Sequence, residues 1–287
     1  MSRVLTSPFF SFRPRPKGRF VSAPALDLAR PRLRPIRLNF LRRWISPLAL
    51  LAVWQLASST GVLSSDKLAS PTTIFKAAWN LTADATLPTA IGVSLQRVVL
   101  GFLAGALAGI GLALIAGLSR VGENAIDPPM QMLRALPLFG LIPLFILWFG
   151  IGEAPKIALV ALGVAFPLYL NTFAGIRGVD PKLAEVGQTL RLGKAGLIIH
   201  VVLPGALPQL LVGLRQSLAI GWLALIVAEQ INADSGLGYM INDAREFLRT
   251  DVIVVGLLVY SLLGLLTDWI VRVLERRALS WRRTLVG

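Results

Sequence analysis

Residues 181–208 read PKLAEVGQTLRLGKAGLIIHVVLPGALP, a polar, amphipathic insert between two long apolar runs. In a chain that is otherwise mostly apolar, such a segment must face water or a protein partner. Glu185 leads it, followed by Val186 and Gly187, a basic helical run, and Val201-x-Leu203-Pro204 at the opening of the next apolar run. A helix that sits in a groove of a partner needs small residues where backbones touch and charge where water remains. Pro204 has no N–H and is well tolerated in the first turn of a helix, so Leu203-Pro204 marks the expected start of the following span.

The rest of the chain explains why the insert stands out. Of 287 residues, 55% are apolar and 15% charged, and the mean hydropathy is +0.68, outside the range of soluble globular domains. Several windows exceed the ~18 apolar residues that mark a spanning helix. The expected fold is therefore all-α and polytopic, with about six transmembrane helices near 44–60, 92–118, 135–152, 156–175, 204–228 and 252–272. The net charge of +14 follows this topology. With the N-terminus inside, 22 Lys and Arg fall on the inner segments and 6 on the outer ones, as the positive-inside rule requires. Both termini and the insert then lie in the cytoplasm of a multi-pass membrane protein.

Chemistry of its own is not expected. The chain has no cysteine and one histidine, His200, so neither a disulfide framework nor a Cys- or His-cluster metal site is expected. No G-x-x-x-x-G-K-[ST] occurs; Gly193-Lys194 is followed by Ala195 and lacks the upstream glycine. No catalytic set stands out, and no cofactor is expected on this chain. If transport is ATP-driven, the ATPase must be another polypeptide. Aromatic-basic motifs for nucleic acid are also missing from the basic tail.

Along the sequence, residues 1–43 hold eleven basic residues, one acid and six prolines, and are read as a disordered cytoplasmic tail, with two explanations: an extension that only fixes the inward N-terminus, or a polybasic contact with membrane lipids. Residues 44–85 carry the first span and an outer loop, in which Ser70-Pro71 predicts an N-cap and a short helix over 71–83. Residues 86–272 form the main transmembrane domain, and 273–287 a basic cytoplasmic C-terminus. Gly101, Gly105 and Gly109, continued by Ala113 and Gly117, predict close helix packing and a buried second span. Pro137 and Pro143 predict a kinked or broken third span, with a pathway-lining role or a packing kink as the two explanations. The loop 229–251 carries Glu229, Asp234, Asp243, Glu246 and Asp251; it is read as an acidic outer contact for a partner or a merely solvated loop, with a short helix over INDAREFL. Asn171, Arg215 and Gln216 are candidate pathway residues, because polar groups inside spans face a cavity or a partner. Arg215 has two explanations, attraction of an anion or pairing with an acid such as Asp268.

The 181–203 segment resembles the "EAA" coupling loop of type-1 ABC importer permeases. The resemblance extends over LPLFGLIPLFILWFGIGEAPKIALVALGVAFPLYLNTFAGIRGVDPKLAEV and LRQSLAIGWLALIVAEQINADSGLGYMINDAREFLRTDVIVVGLLVYSLLGLLTDWIVRVLERR, in all about residues 70–285. These stretches are similar to the sulfonate/nitrate/taurine branch, in particular its aliphatic sulfonate permeases. The resemblance implies a permease homodimer, two ATPase subunits that use ATP and Mg, and a periplasmic or lipid-anchored solute-binding protein. It assigns coupling to Glu185, Gly187, Arg191, Gly193, Val201, Leu203 and Pro204. Nitrate, taurine or a pyrimidine thiamine precursor are alternative cargoes. A secondary transporter or channel is the alternative class, but neither inverted repeats nor a charge relay is evident. The family pattern places glycine where Arg191 stands and prefers alanine at Gly187. A left-handed arginine would cost about 1–2 kcal/mol, so the expectation is that the turn moves to Gly193 and leaves Arg191 helical.

Overall fold

Each long apolar run becomes one long helix, with a single exception at Pro137. The structure, a computed structural model, describes residues 37–64 and 67–281, and among these it has eleven α-helices and no strand. The chain divides into a unit of residues 1–47 and one of 48–287. Of the first unit, the described part is the opening of α1 (Arg37–Ser59), with Pro47 inside the helix. The rest of the basic tail and residues 282–287 lie outside the described residues.

In the second unit, α2 (Pro71–Ala83) starts as its sequence requires. The Ser70 hydroxyl accepts from the Thr73 N–H at 3.2 Å, Pro71 sits in the first turn, and Ile74, Ala77 and Leu81 are buried. Four helical stretches are long and apolar enough to cross a membrane. They are α3 (Thr86–Leu118), α6 (Glu153–Arg177), the run Lys194–Ile231 and α11 (Thr250–Ala278). The exception is the third expected span. Its helix α4 (Arg120–Arg134) and the 3₁₀ turn plus α5 (Leu138–Leu141, then Ile142–Phe149) meet at 94°. Pro137 stands in the break with extended geometry, whereas Pro143 falls in the first turn of α5, where it removes no helical bond. The expected break is therefore made by one proline. Counting the bent pair as one span gives five crossings where six were expected. The difference is α1, whose apolar part Ile45–Ser59 falls short of the ~18 residues that length alone demands.

The glycine stripe organises the bundle. Gly101, Gly105, Gly109, Ala113 and Gly117 are all buried in α3. A Cβ at Gly101 would lie 2.6 Å from Val160, one at Gly109 2.5 Å from the Ala165 carbonyl, and one at Gly117 2.8 Å from Ile176. The contacts advance together, so α3 and α6 run side by side in the same direction. The small residues serve packing within the subunit. Helix α9 (Leu203–Asn232) returns antiparallel to α6, with Gly213 against Pro167 and Asn171 and Gly221 against Val164. Gly236 (φ +103°) turns the chain into α10 (Leu237–Glu246), the short helix expected over INDAREFL, before α11. Helix α7 (Pro181–Thr189) and α8 (Lys194–Leu197) form the insert between α6 and α9.

Gly105 and Gly111 make a controlled pair. A Cβ at Gly105 would overlap the Ala161 carbonyl oxygen, while one at Gly111 meets nothing within 4 Å. Gly105→Ala should lower stability by about 1–3 kcal/mol through overpacking and Gly111→Ala should not, as read from thermal denaturation of the purified protein in detergent.

Candidate functional site

The insert folds as a helical hairpin. Asp180 caps α7 by accepting from the Lys182 N–H at 2.9 Å, and Pro181 occupies the first turn. At the other end of α7, the Arg191 N–H reaches the Gln188 carbonyl and the Leu192 N–H reaches the Gly187 carbonyl, at 2.9 and 3.0 Å. This is the bonding of a Schellman cap, whose turning residue must be left-handed. That residue is Arg191, with φ +56°. The expected transfer of the turn to Gly193 is therefore wrong. Gly193 has φ −66° and ψ 170°, ordinary extended backbone, and begins α8. The cap fixes the turning position by hydrogen bonding, so the arginine takes the glycine's geometry and bears its strain.

Gly187 is the one residue of α7 that is buried. A Cβ there would lie 2.7 Å from Leu197, with Leu192 and Val201 just beyond, so α7 lies directly on the returning helical arm of the hairpin. Helix α9 opens at Leu203 with Pro204 in its first turn, as the sequence suggested, but no break precedes it. Helix continues from Lys194 through a π-helical turn at Ile198–Val202, and the Leu203 N–H bonds back to the Ile198 carbonyl. The wider turn carries the helix into Pro204, whose missing N–H would otherwise interrupt the run. The outer face of α7 is left uncovered: Leu183, Val186 and Leu190 are exposed by 53%, 54% and 70%. Glu185 is exposed on the same helix, and no hydrogen bond or ion pair joins it to another described residue.

Away from the hairpin, α6 and α9 share a row of carboxamides. Asn171 donates to the Pro167 carbonyl at 2.8 Å and to Gln216 Oε1 at 2.9 Å, and accepts from Gln209 Nε2 at 3.0 Å. Of the candidate pathway residues, Asn171 and Gln216 thus meet. Arg215 turns to α11, where it pairs with Asp268 at 3.1 Å and Glu275 at 3.1 Å, and Asp268 also holds Arg272. Pro137 and Pro143 stand at the bend described above. On α4, Asp127 accepts from the Tyr169 hydroxyl and Glu123 pairs with Arg177, so the bent helix is tied to α6.

The far end of the bundle holds a cluster that the sequence reading missed. Arg97 of α3 is 2% exposed and forks onto Glu153 at 2.5 and 2.6 Å, while its Nη1 reaches Glu229 and the Ser235 carbonyl at 2.7 Å. Glu229, 1% exposed, also accepts from Ser94, Tyr260 and the Gly238 N–H. Lys156 completes the charge balance on Glu153 at 2.9 Å. Glu229 is therefore an interior anchor rather than part of an acidic contact loop. The available signal was one cation in the apolar α3 and one anion in the apolar α9, since isolated charges inside spans pair with one another.

Comparison with known proteins fits this geometry. Residues 101–280 match the family described as "Binding-protein-dependent transport system inner membrane component". The chain belongs to that family: it is a multi-pass inner-membrane permease of an ABC transporter, and ATP is hydrolysed by partner ATPase subunits. It is 50% identical over 238 residues to the "Putative aliphatic sulfonates transport permease protein" of Escherichia coli (strain K12), covering 83% of this chain and 90% of that one. A protein of the same description in Bacillus subtilis (strain 168) is 44% identical over 251 residues, covering 88% and 91%. The crystal structure of an amino acid ABC transporter shares the fold, with a TM-score of 0.58 at 18% identity over 69% of this chain and 96% of that one.

Two substitutions test the geometry. Arg191→Gly should stabilise the protein by about 1 kcal/mol in thermal denaturation, because it relieves the left-handed arginine, whereas Gly193→Ala should be neutral. Arg97→Met leaves Glu229 buried without its cation and should cost about 3–5 kcal/mol; adding Glu229→Gln should recover part of that loss in a double-mutant cycle.

Proposed function

We propose that this chain carries aliphatic sulfonates into the cell, as one of two identical permease subunits. The pair works with two ATPase subunits that bind ATP and Mg, and with a periplasmic or lipid-anchored binding protein that delivers the cargo. The similarity to two sulfonate permease proteins at 44–50% identity supports the substrate class.

The observation that carries the coupling role is the hairpin. Its core is closed around Gly187, yet Leu183, Val186 and Leu190 face outward beside an unpaired Glu185. An apolar stripe rimmed by charge at the end of a membrane bundle fits a cytosolic protein groove. The hairpin then lies in the cytoplasm with both termini, in agreement with the 22-to-6 distribution of basic residues. Both termini inside require an even number of crossings, so this topology takes α1 as the sixth, although its apolar part Ile45–Ser59 is shorter than the ~18 residues of a full span. On this reading the pathway follows the edge of α6 and α9, with Asn171 and Gln216 on it, Arg215 beside it, and Pro137 and Pro143 on the broken span.

Glu185→Arg should abolish ATP-driven sulfonate uptake while leaving the amount of permease in the membrane unchanged. Uptake at the unaltered rate would reject a coupling role for that side chain. The purified chain alone should bind no ATP in equilibrium dialysis.

A further inference from the structure

We infer that Gln209 and Gln216, oriented by Asn171, form an uncharged binding site for the sulfonate group on the hairpin-side half of the pathway. The inference rests on the reading of the α6–α9 edge as the pathway. The directions of these amides follow from a single constraint. The Pro167 carbonyl can only accept, so the group that Asn171 turns toward it at 2.8 Å is the amide nitrogen. The second N–H of that nitrogen reaches Gln216, which must answer with its oxygen and turn its own nitrogen away. Asn171 Oδ1 must then accept, so Gln209 presents a nitrogen to it and keeps one N–H to spare. Two N–H groups of Gln216 and one of Gln209 thus have no acceptor among the described residues. Gln209 and Gln216 both lie on the exposed edge of α9.

The site is built rather than incidental. Gly213, between the two glutamines, is buried; a Cβ there would lie 2.8 Å from Asn171 and 3.0 Å from the Pro167 carbonyl. The close approach of α9 to α6 at that glycine is what brings Asn171 within reach of both glutamines. Beside Gln209 opens a cleft of about 340 Å³, bordered by Gly175, Gly178, Gly205, Pro208 and Trp281. That volume falls in the range of small-molecule sites.

The chemistry selects an anion with several acceptors and no donor. A sulfonate has three equivalent oxygens and a permanent negative charge, and spare amide N–H groups can only donate to it. The nearest formal charges neutralise each other, since Arg215 and Arg272 are held by Asp268 and Glu275. An arginine free to grip the anion would hold it tightly; neutral donors bind it weakly enough to let it leave, which conduction requires.

The chain has no cysteine, so single-cysteine variants need no prior substitution. Gln216→Cys in the assembled transporter should react with 2-sulfonatoethyl methanethiosulfonate at least tenfold faster than Leu107→Cys, an exposed apolar position on α3. Excess ethanesulfonate should slow that reaction. In transport, Gln216→Glu should cut maximal sulfonate uptake at least tenfold without changing the half-saturating concentration or the yield of assembled complex, and Gln216→Asn should retain most uptake. An unreactive Gln216→Cys, as in a contact between two permease copies, or unaltered uptake by Gln216→Glu, would overturn the site. If the unaltered complex carries no sulfonate, the proposed function fails instead, and the labelling rate still decides whether an anion reaches the amides.

Discussion

Arg97 and Glu229 are opposite charges inside the helix bundle, and the arrangement of one end of the molecule follows from their need to stay together. Each is at most 2% exposed, and the bond between them is 2.7 Å. Ionised groups so placed are tolerated only with all their hydrogen-bonding capacity used. The protein meets that demand by bringing five elements to one point. Helix α3 supplies Ser94 and Arg97, α6 supplies Glu153 and Lys156, and α9 supplies Glu229. The turn into α10 supplies Ser235 and Gly238, and α11 supplies Tyr260. Gly236 is required there because a Cβ would lie 2.5 Å from the carboxylate of Glu229 and 2.7 Å from the guanidinium of Arg97.

The opposite end is built differently. Its polar contacts are open rows rather than a closed cluster, and Gln209, Arg215 and Gln216 remain exposed. One helical run joins the two ends. It begins at Lys194 in the hairpin and passes the π-helical turn and Pro204. Beyond these it carries Gln209 and Gln216, and it ends beside Glu229. Displacement of α7 would press on that run at Leu197 and Val201, where Gly187 leaves no slack. A rod held at its far end and pushed at its near end moves most where it is pushed, and its displacement falls off toward Glu229, passing Gln209 and Gln216 on the way. Under the proposed function, this is the route by which motion of the hairpin would reach the carboxamides.

Sequence reasoning reached much of this because apolar length and small-residue spacing are local signals. The spans α3, α6, α9 and α11, the stripe from Gly101 to Gly117, the capped helix after Ser70 and the break at Pro137 were all legible in that way. What was not legible depends on tertiary hydrogen bonds. Arg191 was expected to be helical because a left-handed arginine is strained, yet the Schellman bonds from Arg191 and Leu192 outweigh a strain of about 1–2 kcal/mol. Leu203-Pro204 does open α9, but the π-helical turn that joins it to Lys194 without a break has no sequence mark. Glu229 looked like loop because its partner lies 132 residues away in another apolar helix. Gln209 had no reason to stand out until Asn171 and Gln216 were placed beside it.

The most direct measurement of the account is cargo accumulation in sealed vesicles reconstituted with the permease, its ATPase and its binding protein, omitting one component at a time. A sulfonate concentrated against its gradient only when all three and ATP are present is the predicted result. Accumulation by the permease alone, driven by a proton or sodium gradient, would contradict it, because the hairpin and the helix it moves would then have no motor to serve.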